Sequence, residues 1–432
     1  MLRSVKAMWL IALPVFAFAA PAGAADRVDP STLNGKLIFG YQGWFACPGD
    51  GSAFGWGHWM AGANLYVDAL PDVTEFPASE RCPTQMKTTD GRRVDLFSSY
   101  NAATIDRHFA WMEQYGLDGI ALQRFATELR DPAKVEAHNR QLDCVREAAE
   151  KHGRVLFIMY DLSGLPANQL SAVVQDWERL EHAGITGSQA YLHHRGHPLL
   201  ALWGLGFAGR DLTPHDAESL IDLLGSVSTS YGGLTIFAGV PSYWRTRDRD
   251  AAPNPNWEHV WRRVGVISPW SVGRYRDYGG ADTYRREVLE PDLAATRALG
   301  VDYMPVVFPG YSFSNTMRAR HDPNKLPIIN SNPRRCGNFF WRQVANAIDA
   351  GASMLYGAMF DELNEGTAML KMLPSATDAP VQGIPEGDAF VTLDIDGCHL
   401  PSDWYLRLGG AATSTLRQGV QPAPKFPLEF PP

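Results

Sequence analysis

Glu362 and Glu365 stand three residues apart in Phe360-Asp361-Glu362-Leu363-Asn364-Glu365-Gly366-Thr367, directly after an apolar run that reads as a buried β-strand. Three carboxylates crowded at one strand end repel each other, and such crowding marks places where the chemistry needs it. Cleaving a glycosidic bond needs two carboxyl groups, one holding a proton and one ionised. Mutual repulsion and partial burial would split their pKa values in that way. Asp361 and Asp161, the latter at the end of another apolar run, are candidate orienting groups. The competing reading is a helix N-terminal turn carrying solvated acids.

A carboxylate pair of this kind has to meet a sugar, and the composition suits one. The chain holds 13 Trp and 15 Tyr, and Trp59, Trp203, Trp244, Trp270 and Tyr311 fall in or beside loops rather than inside periodic helices. Aromatic faces stack on the C–H faces of sugars, although large aromatics also pack cores. The candidate substrate-binding set is Tyr41, Trp59, Asp161, Trp203, Tyr243, Trp270, Tyr311, Asp361 and Asn364. A net charge of -8, with neither a basic run nor a basic half, argues against nucleic acid or an anionic membrane as partner.

The elements that would position these residues recur along the chain. An amphipathic helix ends in glycine and a short apolar strand follows within a few residues. Ile105, Phe109 and Met112 lead to Gly116 and then Leu117 to Leu122. Val135, Leu142, Val145 and Ala149 lead to Gly153 and Val155 to Tyr160. Val288, Leu289, Leu293 and Leu299 precede Gly300 and Val301 to Phe308, and Phe340, Val344, Ala347 and Ile348 precede Gly351 and the strand ending at Phe360. Leu37 to Tyr41, Leu199 to Trp203, Leu234 to Ala238 and Val264 to Ile267 bring the strands to eight. Continuously apolar strands alternating with helices imply a covered parallel sheet, and eight close a (β/α)8 TIM barrel. The structural rival is an open doubly wound sheet. Barrel enzymes carry chemistry on loops after the strands, and two are long here: residues 42–100 and the stretch from Glu365 to about Cys398.

Residues 1–24 read as a signal peptide, with Arg3 and Lys6 at the positive end, an apolar run from Trp9 to Ala20 and Ala22-Gly23-Ala24 as cleavage site. The catalytic domain then spans 25–419, with a closing helix near Ser402 to Leu416, and 420–432 is a Pro-rich tail. A soluble, periplasmic or secreted monomer is expected. No later segment approaches the ~20 continuous apolar residues that a membrane span needs. Of the five cysteines, Cys47 and Cys82 flank one loop and are expected to pair; Cys336 with Cys398 is a second pairing, and Cys144 is expected as a buried thiol.

Several motifs point elsewhere and are outweighed. Gly204-Leu205-Gly206-Phe207-Ala208-Gly209 has dinucleotide-site spacing, but Thr213-Pro214 is the better helix start. His193, His194 and His197 lack the helical placement of zinc ligands. The charged stretch Arg245 to Asp250 reads as a solvated loop. No metal or redox cofactor is expected.

Residues 360–367 resemble the Phe-Asn-Glu-Trp-His-Glu-Gly-Thr signature of glycoside hydrolase family 99, the endo-α-mannosidases. Asp361, Leu363 and Asn364 replace that signature's Asn, Trp and His. Supporting fragments run in order through most of the chain: Tyr41-Gln42-Gly43-Trp44, Trp56-Gly57-His58-Trp59, Ser98-Ser99-Tyr100-Asn101, His197-Pro198-Leu199 and Pro309-Gly310-Tyr311. The resemblance implies a barrel hydrolase of a divergent branch, acting on α-mannosidic oligo- or polysaccharide with retention. Glu362 would act as base on the sugar 2-hydroxyl, which attacks the anomeric carbon to give a 1,2-anhydro sugar. Glu365 would protonate the leaving oxygen and then activate water. A xylosidase or arabinosidase on the same barrel, or a carbohydrate-binding protein without turnover, are the alternatives; only a hydrolase needs both acids.

Overall fold

Helices stop where glycine lets the chain turn left-handed. In the computed structural model, which describes residues 27–62, 64–320 and 328–419, Gly116, Gly153 and Gly300 take φ of 73°, 61° and 72° at helix ends. Starts are set by side chains: Asn101 accepts from the Ala103 N–H, Asp131 from Ala133, and Thr213 forms a capping box with Asp216 ahead of Pro214. The expected signal peptide and Pro-rich tail lie outside the described residues.

The strands are β1 (Leu37–Tyr41), β2 (Gly119–Phe125), β3 (Val155–Asp161), β4 (His197–Trp203), β5 (Thr235–Pro241) and β6 (Val266–Trp270). They continue with β7, in two pieces at Asp302–Tyr303 and Val306–Val307, and β8 (Leu355–Gly357). Neighbours pair in parallel in sequence order, and β8 pairs with β1. The first piece of β7 pairs with β6 and the second with β8, which closes the barrel. Sequence periodicity predicts β7 as one strand from Val301 to Phe308. Pro305 divides it, because proline has no N–H for the ladder. The Met304 N–H donates to Ile267 on one side, while the Pro305 carbonyl accepts from Tyr356 on the other. The strand is broken where it changes partner.

Around the barrel lie α1 (Ala102–Tyr115), α2 (Pro132–His152), α3 (Ser171–His182), α4 (Pro214–Ser228) and α5 (Trp257–Trp261). A run follows from α6 (Tyr278–Tyr284) through a π-helical turn at Arg285–Leu289 into α7 (Glu290–Leu299). Then come α8 (Ser314–Ala319), α9 (Asn338–Asp349) and α10 (Trp404–Gln418). The strands are buried on both faces, with Leu37, Ile38, Leu156, Ile158, Leu200 and Ile267 all fully enclosed. This is why they read as unbroken apolar runs. No helix among the described residues is long and apolar enough to cross a membrane.

Both expected disulfides form. Cys47–Cys82 pins the first long loop and Cys336–Cys398 ties the start of α9 to the last, while Cys144 on α2 is a free, half-buried thiol. The 35-residue separation of Cys47 and Cys82 corresponds to about 4 kcal/mol of chain entropy removed from the unfolded state. Replacing both with Ser is expected to lower the unfolding free energy by about 2–4 kcal/mol. Urea denaturation would measure it, and an unchanged midpoint would refute it.

Candidate active site

The loop after β8 alternates anchors with the two glutamates. Asp361 is fully buried and accepts from the Gln42 and Gly43 N–H groups at 2.7 and 2.8 Å, which ties the loop to the end of β1. Leu363 is fully buried, and its carbonyl accepts from the Asp68 and Ala69 N–H groups. The Asn364 amide donates to the carbonyls of His58 and Tyr66 at 2.8 and 2.6 Å, holding the first long loop. Gly366 then turns at φ 61° and brings Thr367 back beneath Glu362. The Thr367 hydroxyl donates to one oxygen of Glu362 at 2.9 Å and the Gln42 amide to the other at 2.8 Å.

These fixings leave Glu362 and Glu365 in one cavity of about 200 Å3 at the C-terminal ends of the strands. Gln42 follows β1, Gln123 lies near the end of β2, and Asp161, Trp203 and Trp270 end β3, β4 and β6; all of them line it, with Trp44, Ser163, Tyr356 and Met359. Gly40 makes room beneath, since a Cβ there would meet Met359 at 2.1 Å and the Tyr356 hydroxyl at 2.3 Å. A larger cavity of about 660 Å3 lies between α2 and α3 on the outside of the barrel, with no strand-end acid or aromatic. The strand-end acids and aromatics lie in the smaller one.

Its walls are aromatic with unused polar atoms. The Trp44 ring stacks between His58 at 4.0 Å and Phe125 at 5.3 Å, and Trp203 meets Trp270 edge-on at 5.5 Å. The indole N–H groups of Trp44 and Trp203 and the amide oxygen of Gln42 have no partner among the described residues. Buried polar atoms are normally satisfied, so those in a cavity wall are fitted to hydroxyls brought by a ligand.

Burial pushes the carboxyls of Glu362 and Glu365 up. Glu365 is raised to about 7, with the Arg320 guanidinium opposing the rise and Asp68 adding to it. Glu362 is raised well above the usual glutamate range, first by burial and then by the Glu365 charge, against the two donors from Thr367 and Gln42. The pair therefore shares a proton around neutrality. Depth favours placing it on Glu362, whereas the two donors favour Glu362 as the carboxylate and Glu365 as the acid. Asp68 is fully buried and accepts from the Ser312 hydroxyl at 2.6 Å and the Ser314 and Asn315 N–H groups at 2.6 and 2.7 Å, so it fixes the loop after β7 beside Glu365.

Of the expected binding residues, Asp161, Trp203 and Trp270 line the cavity. Tyr311 stands beside the pair; its hydroxyl is pushed up by burial and then by the charges of Glu365 and Glu362. The others are corrected. Tyr41 is fully buried, packed on Phe360 and hydrogen-bonded to His108 at 2.9 Å. Trp59 is a core residue against Phe45, with its N–H on the Phe97 carbonyl. Tyr243 lies under the Arg249 guanidinium at 4.2 Å and does not line the cavity. Asp361 and the Asn364 NH2 spend their hydrogen bonds on the loops described above, while the Asn364 side-chain oxygen has no partner among the described residues.

Gln42, Trp44, Gln123 and Ser163 were missed as site residues; each falls at or just beyond a strand end, which is the signal that could have found them. The outweighed motifs are structural. His193, His194 and His197 cap backbone and Asp302 at the opposite end of β4, and Arg245 pairs with Asp292. No group of three or more metal-ligating side chains occurs among the described residues.

No protein-family model matches this sequence, and a search of curated proteins returns no match. Solved structures do match. The endo-α-mannosidase of glycoside hydrolase family 99 from Bacteroides thetaiotaomicron superposes with a TM-score of 0.62 at 15% identity, covering 90% of this chain and 98% of that one. A second structure of that enzyme gives 0.60 at 15% identity, covering 90% and 99%. A glycoside hydrolase-like protein gives 0.50 at 14% identity, covering 82% and 93%. The chain has the (β/α)8 fold of these proteins along nearly its whole described length. At this identity the likeness is one of fold, and it agrees with the motif resemblance at residues 360–367.

Proposed function

We propose that the protein is an exported glycoside hydrolase that cleaves α-mannosidic bonds with retention, using Glu362 and Glu365. The observation that carries this reading is the pair itself: two carboxyls on one braced loop at the barrel mouth, in one cavity under aromatic walls with unsatisfied hydrogen-bonding atoms. Glu362, held by Gln42 and Thr367, takes the proton of the substrate 2-hydroxyl as that oxygen attacks the anomeric carbon and displaces the leaving oxygen. Glu365 gives its proton to that oxygen, then removes one from the water that opens the 1,2-anhydro sugar, while Glu362 returns its proton to the freed 2-oxygen. Substrate selects the proton arrangement: a 2-hydroxyl donor meets a carboxylate at Glu362, and a leaving-oxygen acceptor meets the acid at Glu365. The two disulfides suit an oxidising compartment reached through the expected signal peptide.

The test is purified protein on a polysaccharide panel with α-mannans first, and the anomer of the first product followed by NMR. Retained product from an α-mannan supports the reading; an inverted product, or turnover of xylan or arabinan alone, overturns the mannosidic assignment. The pH profile gives a second check. With Glu365 as the acid, activity should fall as pH rises through about 7, where that group loses its proton. Arg320 opposes the rise, so Arg320→Gln should move the alkaline limb upward, less so at high salt because Arg320 is exposed. A limb moving down would contradict it.

A further inference from the structure

Beside the catalytic cavity lies a second one of about 210 Å3, and the two share a wall. Ser163 and Trp203 line the first, while their chain neighbours Leu162, Gly164 and Gly204 line the second together with Arg210 and with Asp211, an exposed residue that forms no ion pair with Arg210. Arg210 is built into this wall. Its guanidinium lies over the Trp203 ring at 5.0 Å and the Phe207 ring at 4.8 Å, and one nitrogen donates to the Ser163 hydroxyl at 3.0 Å. Gly204 makes the placement feasible: it takes φ 113°, and a Cβ there would meet that nitrogen at 2.8 Å.

What Arg210 lacks is an anion. The half-buried arginines Arg107, Arg245 and Arg285 and the fully buried Arg124 each hold a carboxylate at 2.7–2.8 Å, and the fully buried Arg334, which holds none, donates instead to the carbonyls of Gly366 and Ala368. Arg210 forms no ion pair among the described residues, and Ser163 takes the sole hydrogen bond found for its guanidinium. The Asp161 carboxylate, which lines the catalytic cavity, is felt only through its charge. A desolvated guanidinium without a counter-charge is unfavourable by itself, and its planar fork matches a carboxylate or sulfate. Stacking on two rings fixes that plane in advance, so little freedom is lost when an oxyanion arrives.

We propose that Arg210 forms a subsite for an acidic sugar, one carrying a carboxylate or sulfate, next to the residue whose bond is cut. The substrate would then be an α-mannosidic glycan that also carries acidic groups. This deepens the hydrolase reading and rests on it for the cleavage, while the binding stands alone. The net charge of -8 slows the long-range approach of a polyanion but is screened within about 10 Å at 0.1 M salt, leaving the local pairing to decide.

Calorimetry separates the two ideas because it needs no turnover. Methyl glucuronide, glucose 6-sulfate, methyl glucoside and inorganic sulfate would each be titrated into wild type, Arg210→Gln and Arg210→Lys, with folding checked by circular dichroism. Wild type should bind at least one acidic sugar tenfold or more tighter than methyl glucoside; which acid wins distinguishes carboxylate from sulfate. Arg210→Gln should lose that preference, and Arg210→Lys, which keeps charge but not the fork, should retain part of it. Equal binding of the acidic and neutral sugars by wild type, a preference that survives in Arg210→Gln, or inorganic sulfate binding as tightly as the sugars would overturn the proposal. If Arg210→Gln does not fold, Arg210→Lys decides: a preference weaker than that of wild type supports the proposal, and an undiminished one overturns it. An Arg210-dependent preference in a protein that hydrolyses no glycan would retain the subsite and reject the hydrolase.

Discussion

Glu365→Gln should lose on the order of 10²–10⁴ in kcat/KM on natural glycosides, because their leaving oxygens need a proton in the transition state. On a glycosyl fluoride, whose leaving group needs little protonation, the first step should remain. Glu362→Gln should be impaired on both substrates, since base action on the 2-hydroxyl precedes departure of either leaving group. Gln largely preserves the shape of the loop: Asp361, Leu363 and Asn364 bear most of its anchoring bonds, and Glu362→Gln keeps one acceptor for the two donors, Thr367 and Gln42, that hold Glu362. A 2-deoxy-2-fluoro sugar lacks the attacking hydroxyl and should leave the enzyme unlabelled. A stable ester on Glu362 would make it an ordinary nucleophile, and full activity of both variants would move the active site elsewhere.

Asp176→Ala should destabilise the fold by about 3–5 kcal/mol without touching the cavity. Asp176 on α3 is fully buried and accepts two bonds, each 2.7 Å, from Arg124 of β2, itself 1% exposed. The Tyr160 hydroxyl of β3 donates to it at 2.6 Å, and Arg179 adds a further contact. Removing the carboxylate strands a guanidinium inside the barrel wall, and the lost counter-charge outweighs the small side-chain volume removed. Urea unfolding would report the loss. A change below about 1 kcal/mol would mean that water reaches Arg124 and that the pair behaves as a surface bridge.

Sequence alone determined the parts of this protein that depend on local pattern. Eight apolar runs, four of them set off by a helix and a glycine stop, were enough for the barrel because a strand covered on both faces cannot be polar on either. The pairing of Cys47 with Cys82 was legible from the loop they flank. The placement of Glu362 and Glu365 at a strand end was legible because carboxylates there have no packing role.

Only the tertiary structure decided which neighbours face the cavity. Tyr41 was the expected contact, yet it is core and Gln42 lines the cavity; one residue along the chain reverses the side chain from core to cavity. Asp361 and Asn364 share the acidic, polar look of Glu362 and Glu365, yet their partners are backbone groups of residues 42–66, about 300 positions away in the chain. Trp44 and Trp59 belong to the same long loop with similar surroundings in sequence, and one became wall and the other core. Periodicity fixes a face only within a regular element. In loops held by distant hydrogen bonds and a disulfide, the direction of a side chain is set by contacts the local sequence does not contain.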